Sequence, residues 1–437
     1  MAVKFTWGIS MSGSKILLQM IVIVFLSVAA SVPASAAERT MVYVLFDGFA
    51  PAMGDATKTP NLDRIKQEGS WSRHLVPVYP SLSLPNHTSF ATGCWPEHHG
   101  IVQNKFYDPD RGAGYTEDGD ADWMTGCEPI WQAAERQGVK AAALNFANRW
   151  NTRKKVALAT YATPFTTWEK TPSDDETLIQ ALTFLKRSDP QRPRVIALYF
   201  RGPDQEAHVH GVTSPQALAA VRRADEIVGK LMAGIGTMPA GQEGTLIIGT
   251  DHGMINVSPL VNLGRIMNRH WIKARDAGEG GNAYLHLDKD ESVDRVEKAL
   301  SSYSGVISVY RRGNFPAYAH LGNTNRTGDL MLVVKPPYYI AGSRSFPWFA
   351  YMMGVNWFWS DIFPAEAWGG LKASHGYEPS IPEMHGIFYA WGAGVAKGHE
   401  IPQLDMIDVH PTAMSLMGLE PGKPVDGRVV TEMLAAP

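Results

Sequence analysis

Three stretches of the chain, residues 41–46, 194–200 and 245–250, are apolar almost throughout, and each gives way to a polar loop that begins with or soon reaches an aspartate. Half-exposed strands alternate polar and apolar residues; uninterrupted β-branched and aromatic runs are the pattern of parallel strands covered on both faces. Segments of helical character fall between and around these runs, at 60–69, 84–92, 129–137, 174–187 and 215–235, with Gly69 and Gly138 as stop signals. One more strand is expected at 139–145. This alternation predicts an α/β fold with a mostly parallel central sheet and helices on both faces.

The rhythm breaks after Gly253. Residues 258–370 offer short strands at 283–287 and 330–334, a helix at 293–302 and an aromatic stretch at 346–363, and are read as a smaller inserted cap. A strand at 386–390 and a helix at 411–417 then return to the core. The expected organisation is a leader at 1–36, the first part of the core at 38–257, the cap at 258–370 and the rest of the core at 371–437. Gly 41 and Pro 29 in 437 residues favour this loop-rich plan over a helical bundle.

Lys4 and Lys15 precede an apolar run at 16–30, and Ala34-Ser35-Ala36 supplies small residues for cleavage. That is the pattern of a secretory signal peptide cut after Ala36 or Ala37, with an uncleaved amino-terminal anchor as the rival. A periplasmic or secreted protein is expected. No later segment reaches the ~20 apolar residues of a spanning helix, so no transmembrane segment is expected after cleavage. The net charge of −3 becomes −5 once the two leader lysines go, which offers no field for nucleic acid and excludes a basic nucleic-acid-binding module. Cys94 and Cys127 are the only cysteines. An oxidising compartment permits a bridge between them, and spacing leaves it open. Two thiols cannot make a four-thiolate site, so any metal must rely on His and carboxylates.

Such residues collect where predicted strands end: Asp47; Asp204 with His208; Asp251 with His252; and His375. Open α/β sheets gather their sites at the carboxyl ends of strands. Asp204 and His208, four apart, share one face of a helix. Asp251 and His252 can face one ion only if the backbone turns, and Gly253 is expected to supply the turn. Singly, each has a plainer reading as a cap, a turn residue or a structural histidine.

Further residues fall in series: Leu45-Phe46-Asp47-Gly48, Thr59-Pro60-Asn61-Leu62-Asp63 and Tyr79-Pro80-Ser81-Leu82-Ser83-Leu84-Pro85-Asn86-His87. Then come Thr92-Gly93, His99-Gly100-Ile101, Asn104, Phe106-Tyr107-Asp108-Pro109, Pro203-Asp204 with His208, Thr250-Asp251-His252-Gly253-Met254 and His375-Gly376-Tyr377. The ordered set resembles the nucleotide pyrophosphatase/phosphodiesterase branch of the alkaline phosphatase superfamily over roughly residues 40–420. The resemblance implies two zinc ions per chain: Asp47, Asp251 and His252 would hold one, which Ser83 also touches, and Asp204, His208 and His375 the other. It further implies Ser83 as nucleophile, a phosphoserine intermediate, and Asn104 offering its amide to a non-bridging phosphoryl oxygen. Zinc suits imidazole and carboxylate ligands.

Some residues depart from the family pattern. Ser83 stands where many relatives carry threonine; a plainer reading makes it a helix N-cap. Ala207 replaces a usual glycine, and the segment 145–150 does not match the family's corresponding one, which leaves the substrate open. Phe106, Tyr107 and Trp150 could stack on a base or ring a choline, although aromatic residues are more often core. Arg149 is expected at the surface rather than as a phosphate clamp, and His385 is not expected to be a ligand. The leading expectation is a zinc phosphodiesterase acting on a small-molecule diester or nucleotide. Its rivals are the same site on choline diesters, phosphate monoesters or phosphonates, and a metal-binding protein without turnover. Oligomeric state is left open.

Overall fold

Phe46, the last residue of the first apolar run, pairs with Phe200 on one side and Thr250 on the other, so the three runs lie side by side with aligned carboxyl ends. A computed structural model of the chain describes residues 38–116, 118–164, 170–322, 324–341, 360–364 and 371–435. The expected leader at 1–36 and most of the aromatic stretch at 346–363 lie outside the described residues. The main sheet contains β1 (Glu38–Phe46), β2 (Ser70–Val76), β3 (Ala141–Leu144), β4 (Tyr161–Ala162), β5 (Val195–Phe200), β6 (Gln242–Thr250), β7 (Gly386–Gly392), β8 (His399–Glu400) and β9 (Leu404–Asp405). Their order is β8-β2-β7-β6-β1-β5-β3-β4, with β9 also paired to β2. Every pairing in it is parallel except those of β7, which runs antiparallel to β6 and β2.

The unbroken hydrophobicity of β1 has a direct cause. Tyr43 and Leu45 pack with Phe90, Trp131 and Met414 on one face, while Val42, Val44 and Phe46 pack with Leu62, Leu178 and Val228 on the other. Helices Ser83–Thr92, Ile130–Arg136 and Val409–Met417 cover the first face, and Pro60–Glu68, Asp174–Lys186 and Pro215–Gly236 the second. Each fully buried large side chain contributes about 1.5–3 kcal/mol. Gly69 ends its helix as expected, its N–H returning to Ile65 O at 2.8 Å. Among the described residues, no helix is long and apolar enough to cross a membrane.

A four-stranded antiparallel sheet falls within 258–370, in the order Ala274–Glu279, Asn282–Leu287, Leu330–Val334, Ile307–Arg311. Helix Val293–Leu300 packs Val296 and Leu300 against Leu285 and Leu332 in a separate core. The hairpin joining its first two strands reaches the main body, where Gly281 N donates to His375 O at 3.0 Å. Cys94 and Cys127 are bridged, with Cα atoms 6.6 Å apart. The bridge follows Gly93 at the end of helix Ser83–Thr92 and anchors that end of the helix.

His410, in helix Val409–Met417, is wholly buried, and burial pulls its pKa down to about 4. In the unfolded chain it titrates near ~6.5, so between those values only the unfolded state takes up the proton. The stability this group contributes is complete above ~6.5 and falls away as pH drops towards the folded pKa. His410→Leu is expected to flatten the acid limb by up to about 1.4 kcal/mol per pH unit. Denaturant midpoints at pH 7 and 4.5 measure it, and equal slopes in the two proteins would refute it.

Candidate active site

The aligned ends of β6, β1 and β5 place Asp251 and Asp47 one residue beyond neighbouring strands, with Asp204 a short loop beyond Phe200. Parallel neighbours lie about 4.8 Å apart, so their first loop residues are forced together. Gly48 makes the crowding possible. Its φ is +63°, its N–H donates to Asp251 Oδ1 at 3.0 Å, and a Cβ there would lie 2.7 Å from Asp204 Cβ. Gly253 acts otherwise than expected. Its φ is not positive; instead a Cβ would sit 2.0 Å from Glu383 O, so glycine is needed for close backbone approach rather than for a left-handed turn.

The histidines arrive by different routes. Helix Asp204–His210 carries His208 one turn after Asp204, with Nε2 3.3 Å from Asp204 Oδ1. The two-residue strand Ala373–Ser374 pairs with Ile255–Asn256, just beyond His252, which brings His375 back beside it. The His252 and His375 rings stack at 3.6 Å. Each ring is oriented through Nδ1 by a carbonyl: His252 by Gly253 O at 2.9 Å, His208 by Ala373 O at 2.8 Å and His375 by Ser81 O at 2.9 Å. Donation from Nδ1 leaves the Nε2 lone pairs facing one another, the orientation that metal-binding imidazoles require.

His252 Nε2 lies 3.4 Å from Asp47 Oδ1, 3.5 Å from Asp251 Oδ2 and 3.4 Å from Ser83 Oγ. His375 Nε2 lies 3.7 Å from Asp204 Oδ1 and 3.1 Å from His208 Nε2. All seven residues that the sequence marked as metal contacts therefore meet in one place. Among the described residues, Asp204, His252 and His375 offer ligand atoms within 4.8 Å of one another, and so do Asp47, His87 and Asp251. His252 thus stands between the two groups, and His87 joins one of them.

These residues fit a cation. Among the described residues, Asp47 Oδ1, Asp204 Oδ1 and Asp251 Oδ2 are buried and have no hydrogen-bond partner. Their companion oxygens on Asp47 and Asp251 are held, by the Tyr199 hydroxyl and by Gly48 N and His252 N respectively. Buried acceptors without donors are costly, and a divalent ion removes the cost. Burial, then the charges of Asp251 and Asp204, push the Asp47 carboxyl well above the usual range. Burial opposes the protonated form of His208, but Asp204 beside it raises its pKa to about 9. Burial and then His252 pull His375 down to about 3.

Ser83 is the first residue of helix Ser83–Thr92, whose N-cap is Leu82, so the expected capping role for Ser83 does not hold. Asn104 is fixed beside it, its Oδ1 accepting from Leu84 N at 2.9 Å and its Nδ2 donating to Glu279 Oε1 at 3.2 Å. An amide nitrogen carries two donors, so one remains for another acceptor.

Residues 41–377 match the family model for type I phosphodiesterase/nucleotide pyrophosphatase. The chain belongs to this family. It is 26% identical over 400 residues to ectonucleotide pyrophosphatase/phosphodiesterase family member 7 of Rattus norvegicus, covering 89% of this chain and 85% of that one. It is 24% identical over 387 residues to a bis(5'-adenosyl)-triphosphatase of Pongo abelii, covering 87% and 78% respectively. Murine ectonucleotide pyrophosphatase/phosphodiesterase 5, solved in an inactive form with AMP, superposes with a TM-score of 0.78 at 22% identity, over 91% of this chain and all of that one. The family's relatives are phosphodiesterases and nucleotide pyrophosphatases, and their fold is the alkaline-phosphatase-like fold described above.

The residues flanking this cluster divide into core and rim. Phe106, expected as a substrate contact, is a core residue, 3% exposed and packed on Tyr115 and Trp123. Tyr107 is half-buried with the Arg275 guanidinium 3.9 Å above its ring. Trp150 is half-buried and donates through Nε1 to Thr163 O at 2.7 Å. Arg149 is not at the surface as expected. It is 3% exposed and donates to the carbonyls of Phe146, Thr163 and Pro164, because its own loop and the segment at 163–164 enclose it. His210 faces Glu206 at the surface, and His385 pairs with His74. His87, Tyr199 and Glu279 adjoin the site without having been assigned a role from the sequence. Only His87 carried a readable signal, its place four residues after Ser83 on a helix.

Proposed function

We propose that the chain is an exported two-zinc phosphodiesterase or nucleotide pyrophosphatase that works through a phosphoserine on Ser83. The observation that carries this reading is Ser83 Oγ, 3.4 Å from His252 Nε2, at a helix N-terminus among buried carboxylate oxygens that lack donors. Zinc suits this donor set of imidazole and carboxylate. Asp47, Asp251, His252 and Ser83 would hold one ion and Asp204, His208 and His375 the other. Bound zinc would supply Lewis acidity, favouring the serine alkoxide and neutralising charge at phosphorus.

The chain's own groups define the rest. Ser83 Oγ attacks phosphorus, forming the Ser–O–P bond as the bond to the leaving oxygen breaks. Asn104, held by Leu84 N, donates its remaining amide N–H to a non-bridging oxygen, where one such donor can be worth about 3–4 kcal/mol. Water then cleaves the Ser–O–P ester and restores the hydroxyl. Glu279 places a carboxylate against the amide that would meet the phosphoryl oxygen, which disfavours a doubly charged monoester relative to a singly charged diester. Arg149 is committed to backbone carbonyls and does not offset that charge. The AMP complex of the murine relative and the triphosphatase named above support nucleotide-type substrates. The Cys94–Cys127 bridge supports export to an oxidising compartment.

Hydrolysis of p-nitrophenyl thymidine monophosphate, p-nitrophenyl phosphorylcholine and p-nitrophenyl phosphate tests the assignment. The nucleotide diester is expected to turn over fastest and the monoester at least about tenfold more slowly, since ~1.4 kcal/mol of repulsion suffices for that ratio. A faster monoester would reverse the preference. No turnover of any of them by zinc-loaded protein would favour the binding-protein alternative.

A further inference from the structure

His87 is fully enclosed, and among the described residues neither of its ring nitrogens has a hydrogen-bond partner. Its surroundings are otherwise aromatic, with the Tyr199 ring centred 4.4 Å away and the Phe146 ring 5.7 Å away. Phenylalanine or leucine would fill such a place without burying unsatisfied nitrogens, which cost stability. The exception to this apolar setting is Asp251 Oδ2, 3.5 Å from His87 Nε2. That oxygen also lacks a hydrogen bond, whereas Asp251 Oδ1 accepts from both Gly48 N and His252 N.

We propose that His87 is a positioning residue of the metal centre, whose Nε2–H holds the free oxygen of Asp251 and ties that carboxylate to the helix bearing Ser83. This rests on the two-zinc reading above. An oxygen of Asp251 has two lone-pair directions, and a metal would take one; His87 reaches the other. Ser83 and His87 lie one turn apart on the helix, so the nucleophile and the ligand's brace move as one body. The helix is itself pinned, since Asn148 Nδ2 donates to Thr88 Oγ1 at 2.7 Å and Thr88 Oγ1 to Leu84 O at 2.8 Å. Tyr199 treats the other carboxylate similarly, its hydroxyl donating to Asp47 Oδ2. Groups that orient metal ligands in this way typically change metal affinity 10–100-fold when removed.

The test compares wild type, His87→Phe and His87→Gln as full chains, with zinc affinity read by competition against a chromophoric chelator and melting temperature read on the zinc-free proteins. His87→Phe is expected to weaken one of two zinc ions by about 10–100-fold while leaving the zinc-free melting temperature unchanged or higher. His87→Gln, which can place an N–H near the same oxygen, is expected to stay within about threefold of wild type. If the Phe ring prevents folding, His87→Leu makes the same apolar comparison. Equal zinc affinity in wild type and the apolar variant overturns the inference alone. Equal losses in the Gln and Phe variants also overturn it, because the N–H would then not be what matters. A wild-type chain that takes up no zinc overturns the two-zinc reading and this inference with it.

Discussion

Ser83→Ala is expected to lower kcat for a nucleotide diester by about 10⁴- to 10⁶-fold, the range seen when a covalent nucleophile is deleted from an otherwise complete site. The loss should fall on kcat far more than on KM, since the hydroxyl acts in bond formation. Ser83 opens its helix and makes no structural hydrogen bond as a cap, so the variant should keep the wild-type stability within about 0.5 kcal/mol. It should also retain most of its zinc, because Asp47, Asp251 and His252 remain. Stopped assays with p-nitrophenyl thymidine monophosphate, together with metal analysis of the same samples, measure both quantities. Turnover within tenfold of wild type would remove Ser83 from the mechanism.

Metal removal should have the second large effect, on stability as well as on rate. Without a cation, three buried carboxylate oxygens have no donor, and Asp47 is forced towards its protonated form by burial and by Asp251 and Asp204. Ions that bind only the folded chain stabilise it by mass action, about 4 kcal/mol for each site at a thousandfold excess over Kd. For the roughly 370 described residues the unfolding entropy near the melting point is roughly 0.8 kcal/mol/K, so each site should raise the melting temperature by about 5 °C. Dialysis against a chelator should therefore lower it by about 10 °C and abolish turnover, and added zinc should restore both. Calorimetry of the two forms decides the matter. Identical melting curves with and without chelator would mean that these carboxylates hold no ion.

Much of the fold was legible because its strands are covered on both sides. A run such as 41–46 has no solvent face to satisfy, so its composition announces a central parallel strand without any knowledge of its neighbours. The antiparallel course of β7 was not legible, since a single apolar run carries no sign of direction. Arg149 shows the opposite failure. A guanidinium is normally expected at the surface, and only three carbonyls, one from its own loop and two from residues 163–164, make its burial tolerable. Phe106 and Tyr107 are adjacent and similar in sequence, yet one lies in an aromatic core and the other lies beneath an arginine, because successive strand residues face opposite ways.

By itself the sequence determined which side chains could serve: three aspartates and three histidines at strand ends, a serine at the start of a helix, and an amide downstream. Chemistry selects among residue types, and those types are written in the chain. What only the tertiary structure decided was their company. Register between β6, β1 and β5 put Asp251 beside Asp47, a two-residue strand returned His375 to His252, and helix packing set His87 against Asp251. Contacts between residues hundreds of positions apart are fixed by strand pairing and packing, and no local pattern encodes them.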